Sequence, residues 1–113
     1  MSIIIPQRWR TDVAAILDQA QEETILLRKR PRREWFNLDD EHTEFGLYAL
    51  LADELSIAGN LYGKVHTDMV EEGECYSFSF RYRPPTAEGE IELYTKLNLL
   101  PDGQVVIIYS AHT

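Results

Sequence analysis

Apolar residues in the first half of the chain recur at helical spacing. Trp9, Val13, Ile16, Leu17 and Ala20 fall on one stripe, and Pro6 suits a first turn, where its missing N–H loses no partner. The spacing predicts a helix over 6–22. Phe45, Tyr48, Leu51 and Leu55, flanked by Leu47 and Leu50, draw a second stripe that ends near Leu55. Asp39 and Asp40 are its N-cap candidates, and the acids after them suit the positive end of a helix dipole. Between the two stripes, 24–27 is too short to show a period and Pro31 interrupts anything longer, so an extended segment is expected over 24–30. Asn60 and Gly63 mark a loop over 59–67.

After Gly73 the period changes to two. Tyr76, Phe78, Phe80 and Tyr82 alternate with Ser77, Ser79, Arg81 and Arg83, which predicts a half-buried strand over 75–83. RPPTAEGE reads as a loop, because two prolines cannot both serve a central ladder. A second strand is expected over 91–99, a turn at Pro101, Asp102 and Gly103, and a third strand over 104–112. The result is a single α+β domain over 1–113, with two N-terminal helices packed on one face of a three- to four-stranded antiparallel sheet.

The hairpin turn allows a register to be written. With Leu100 opposite Gln104, Asn98 faces Val106, Lys96 faces Ile108, Tyr94 faces Ser110 and Glu92 faces His112. The opposite side then collects Ile91, Leu93, Thr95, Leu97, Leu99, Val105, Ile107, Tyr109 and Ala111 as a core face. Ser77, Ser79, Arg81 and Arg83 join Tyr94, Lys96, Ser110 and His112 on an open polar face.

Charge refines this picture. The net charge is -8, but residues 1–33 hold seven Arg/Lys against four acids, while residues 34–113 hold four against fifteen. The basic third, with the run RKRPRR, fits a nucleic-acid contact or a clamp for an acidic protein. Cys75 is the single cysteine, so no internal disulfide forms, and a small half-buried thiol is the simpler reading than a nucleophile. MSIIIPQRW is too short for a signal-peptide core or a membrane span, and a cytoplasmic protein with no membrane association is expected.

Three scattered histidines and one cysteine lack metal-ligand spacing, so neither metal nor cofactor is expected. His42 reads as solvated at an acidic helix start, and His66, two residues before Asp68, as a group able to orient a second one. The open face has the residue types for phosphate chemistry. Arg81 and Lys96 neutralise developing charge, and His112 serves as acid or base. Any antiparallel sheet also has a solvated face of this composition, and that bland alternative stands beside the chemical one.

From residue 24 onward the order ILLRKRPRREWFNL, a helix, YGKVHTD, a strand of aromatics, IELYTKLNLL, a short turn and VVIIYSAH resembles the MqsR-type toxins of bacterial toxin-antitoxin pairs, within the broader RelE-like ribonucleases. Tyr94-Thr95-Lys96 and Ser110-Ala111-His112 stand where that family carries tyrosine-x-lysine and serine-aromatic-histidine, with Ala111 in place of the aromatic. The resemblance implies an RNA-cleaving toxin, a metal-independent endoribonuclease restrained by a cognate antitoxin. Lys96, His112, Arg81 and Tyr94 would be catalytic, and Arg28, Arg30, Ser110 and His66 would hold RNA. The alternative is an acidic binding module, such as an immunity protein, presenting Glu34, Asp39, Asp40, Glu41 and Glu44 and the run Glu71, Glu72 and Glu74 to a basic toxin.

Overall fold

The computed structural model describes residues 1–68 and 70–113. Helix α1, Gln7–Gln19, follows Pro6 and buries Trp9, Val13, Ile16 and Leu17. It stops where Ala20 turns left-handed and its N–H donates to the Leu17 carbonyl. Helix α3, Glu44–Leu55, buries Leu47, Tyr48, Leu51 and Leu55. Its cap is not Asp39 or Asp40 but Thr43, whose hydroxyl accepts the Gly46 N–H. Asp39 is instead turned inward, with one carboxylate oxygen accepting both the Thr86 amide and the Thr86 hydroxyl.

A further helix lies where an extended segment was expected. Strand β2 is only Ile25–Leu27, and helix α2, Lys29–Leu38, follows at once. Pro31 does not break it, because it is the third helical residue, where an N–H has no carbonyl of its own helix to meet. Only Pro31 and Trp35 of α2 are buried, too few to draw a stripe in the sequence.

The remaining strands are β1, Ile3–Ile4; β3, Tyr62–His66; β4, Glu74–Tyr82; β5, Ile91–Leu99; and β6, Val106–His112. They form one six-stranded sheet in the order β1-β3-β4-β5-β6-β2, in which β2 runs parallel to β6 and the other pairs are antiparallel. The class is α+β, but three helices and a six-stranded mixed sheet replace the two helices and the three- to four-stranded antiparallel sheet expected. Of the strands missed, β1 has two residues, below the length at which alternation shows, and pairs with a partner remote in sequence, while the five residues of β3 fell in the expected loop; β2 lies within the expected extended segment. Gly63 lets β3 approach β4: a Cβ there would lie 2.1 Å from the Ser77 carbonyl oxygen.

The helices share one face of the sheet. Trp9, Leu17, Trp35, Leu47 and Leu51 meet Phe78, Leu93, Leu97 and Ile108 in a single core. The expected aromatic side of β4 is in that core, as are Leu93, Leu97, Leu99 and Ala111.

The β5–β6 register differs from the expected one. Leu100 N–H bonds the Val105 carbonyl, so the loop is one residue longer than a turn closed at Gln104. Leu97 then pairs with Ile108, while Lys96 pairs with Ser110, leaving Tyr109 as an extra residue. Ile107, opposite Asn98, and the bulged Tyr109 therefore leave the core face to which they were assigned. Past the bulge the two one-residue shifts cancel in parity, and Ser110 and His112 return to the open side, beside Lys96 and Tyr94.

Candidate active site

Strand pairing sorts the open face into rows. One row runs Lys64, Ser77, Lys96, Ser110 across β3, β4, β5 and β6. Next to it, Ser79 faces Tyr94 and Tyr94 faces His112, and Tyr62, two residues beyond the last β3–β4 pair, lines the same groove as Ser79 and Tyr94. A third row holds His66, Cys75 and Asn98. Lys96 is thus a direct neighbour of Ser77 and Ser110 and a diagonal neighbour of His112, about 7–8 Å away backbone to backbone.

The side chains connect these rows. His66 Nε2 lies 2.6 Å from Ser77 Oγ, so the ring leans toward Lys96 rather than toward Asp68. Burial, and after it the positive charges of Lys96 and Lys64, pushes the His66 pKa down and favours the neutral ring. On the other flank the Tyr94 and His112 rings lie 5.2 Å apart, tilted by 38°. The Lys96 ammonium stands 5.5 Å from the centroid of the bulged Tyr109 ring, and the Arg28 guanidinium is 5.8 Å from the same centroid. The Tyr109 hydroxyl accepts the Glu71 N–H, and Asn98 Nδ2 donates to the Glu71 carbonyl, so the connection between β3 and β4 lies over this end of the face.

The structure gathers Lys96, Tyr94, Ser110, His112 and His66 on that face and sets three other candidates apart. Arg81 shares the face but lies beyond the Ser79 row, opposite Glu92 and 3.5 Å from the Glu90 carboxylate. Arg30 belongs to α2 in the helix layer and pairs with Glu34 at 3.1 Å. Arg28 reaches the face only at its edge, bound to Glu71 and packed on Tyr109. Among the described residues neither Lys64 nor Lys96 has a carboxylate within ion-pair distance, whereas Arg8, Arg28, Arg30, Arg32 and Arg81 all do.

Two further sequence expectations are settled by burial. His42 is not solvated: it is 6% exposed, stacked 3.5 Å from Trp35, with Nδ1 on the Trp35 carbonyl and Nε2 on the Tyr82 hydroxyl. A carbonyl only accepts, so Nδ1 donates to Trp35. Cys75 is buried, and that burial pushes its thiol up to about 11 against the opposing pull of Lys96, which removes it as a nucleophile near neutral pH.

What the sequence reading missed is β3. It brings Tyr62 and Lys64 to the face, beside His66, where they line a groove of about 470 Å³ with Ser2, Ser77, Ser79 and Tyr94. The alternation of Tyr62, Lys64 and His66 with Gly63 and Val65 was the available signal, and Asn60 and Gly63 masked it as a loop.

No family model matches the chain, and no curated protein or solved structure matches it either. Among the described residues no helix is long and apolar enough to cross a membrane.

Proposed function

We propose that the chain is an RNA-cleaving toxin, a metal-independent endoribonuclease restrained by a cognate antitoxin. The observation that carries this reading is the grouping on one open face of a cation, a phenol and an imidazole, Lys96, Tyr94 and His112, drawn from β5 and β6. Cleavage by transesterification needs the 2'-hydroxyl deprotonated, the new 2'-oxygen–phosphorus bond formed, the 5'-oxygen bond broken and that oxygen protonated. The products are a 2',3'-cyclic phosphate and a 5'-hydroxyl.

Lys96 suits the centre of this scheme, neutralising charge on the phosphorane. His112, the diagonal neighbour of Lys96, accepts the 2'-proton and returns a proton to the leaving 5'-oxygen, while His66, held on Ser77, borders Lys96 as an RNA contact. Tyr94 orients the His112 ring and the phosphate. Arg81 is left out of the mechanism because Glu92 stands opposite it on β5 and the Glu90 carboxylate lies 3.5 Å away.

The inhibitor reading has less to stand on. Of its acidic surface, Glu34, Glu44, Glu71 and Glu74 pair with arginines of the same chain, and Asp39 is buried on Thr86. An acid already neutralised internally presents little charge to a partner.

The purified chain is expected to cut single-stranded RNA in the presence of a chelator and to leave cyclic phosphate ends. Lys96→Ala or His112→Ala should lower the rate on the order of 100-fold or more. Expression alone should arrest growth, and both variants should relieve it. Intact RNA, with cells that grow normally while making the folded protein, would overturn the proposal.

A further inference from the structure

The groove over β3, β4 and β5 is built unlike the rest of the open face. Its two walls are aromatic, Tyr62 and Tyr94, and its floor between them is Ser79, the smallest residue of that row. Tyr62 is 57% exposed, so its ring face is open to a guest. The walls stand two strand spacings apart, roughly 9–10 Å between backbones. A planar ring held between two others needs roughly 7–8 Å from plane to plane. The gap therefore fits one aromatic guest once the phenols lean inward.

The neighbouring row supplies the second element. Lys64 and Lys96 stand on either side of Ser77, parallel to the two tyrosines, and neither is paired with an acid among the described residues. Aromatic rings for bases beside unpaired cations for phosphates is the combination that grips single-stranded nucleic acid, whose bases are free to splay out. A duplex keeps its bases stacked inside and offers nothing to the slot.

We propose that the gap between Tyr62 and Tyr94 over Ser79 is a base-stacking subsite for one unpaired nucleobase of single-stranded RNA, with Lys64 and Lys96 on the flanking phosphates. The choice of RNA rests on the ribonuclease reading; the stacking geometry does not. The subsite lies next to Lys96, so it fixes which linkage reaches the catalytic cluster, and Tyr62 becomes a residue that positions substrate without touching the reacting atoms.

Binding of a fluorescent single-stranded 2'-deoxy oligonucleotide, which cannot be cleaved through a 2'-hydroxyl, reads the slot independently of catalysis. Tyr62→Ala should weaken binding roughly 5- to 150-fold, the range that loss of one stacked base produces. Tyr62→Phe should retain it, because the ring and not the hydroxyl is used. Ser79→Leu, which keeps both rings and fills the floor, should weaken binding as well, and the matching duplex should bind poorly to every variant. Equal binding by wild type and Tyr62→Ala, or a preference for the duplex, overturns the slot. Tight single-strand binding that depends on Tyr62, in a protein that never cleaves RNA, keeps the slot and removes the nuclease.

Discussion

His66 shows how much of a residue's chemistry is set by its neighbours. Its sequence context, Val65-His66-Thr67-Asp68, points toward a carboxylate partner, yet the ring turns to Ser77 and faces two lysines. Burial and those lysines lower its pKa, so the folded state binds its proton later than the unfolded chain does. The sign follows: this group costs nothing above about pH 6.5, and stability falls as pH drops below that value. Lys64→Ala removes one of the repelling charges. The His66 midpoint is expected to move up, read from its ring proton shift in an NMR titration, and an unchanged midpoint would show that Lys64 does not act on the ring. His42 and Arg10 make the opposite point. His42 reads as solvated in the sequence, and both are buried fixtures: His42 between Trp35 and Tyr82, and Arg10 donating to the Leu55, Ile57 and Gly59 carbonyls at and beyond the end of α3. Nothing in a single sequence distinguishes an arginine that caps carbonyls from one that faces water.

At the scale of elements, length decided what was legible. The stripes of α1 and α3 and the alternation of β4 and β5 repeat often enough to be read directly, and those elements stand where expected. The α2 helix did not, because Pro31 looked like an interruption when it is part of the first turn. Its position makes a prediction. Pro31→Ala should leave urea stability nearly unchanged, whereas Arg33→Pro, two residues further in, removes an i to i−4 bond and should cost about 3 kcal/mol, with a loss of helical circular dichroism. An equal cost for both would mean that Pro31 does not start the helix. The bulge at Tyr109 is another element-scale feature with a consequence for the site, since it restores Ser110 and His112 to the open face after the longer hairpin loop had shifted them.

At the scale of the whole molecule, an acidic chain presents a local cationic row. The net charge is -8, but five arginines are paired with acids in place, and Lys64 and Lys96 stand together on the open face with no such pair among the described residues. Counterion release then counts few contacts. Single-stranded oligonucleotide affinity is expected to fall with salt at a log–log slope of about −1.4, the value for two phosphates. A slope several times steeper would mean that the RKRPRR run also binds the strand, and that Arg30 and its neighbours exchange their acids for phosphates.

The sequence by itself determined the two-layer α+β character, the main apolar stripes and the polarity of the open face, because those follow from local periodicity repeated over nine or more residues. Only the tertiary structure decided the six-stranded order, the parallel β2, the slide and bulge of β6 and the meeting of Tyr62, Lys64 and His66 with Lys96 and His112. The two- and three-residue strands β1 and β2 gain their hydrogen bonds from partners distant in the chain, and a bulge is selected by the packing around it. Neither leaves a period to read.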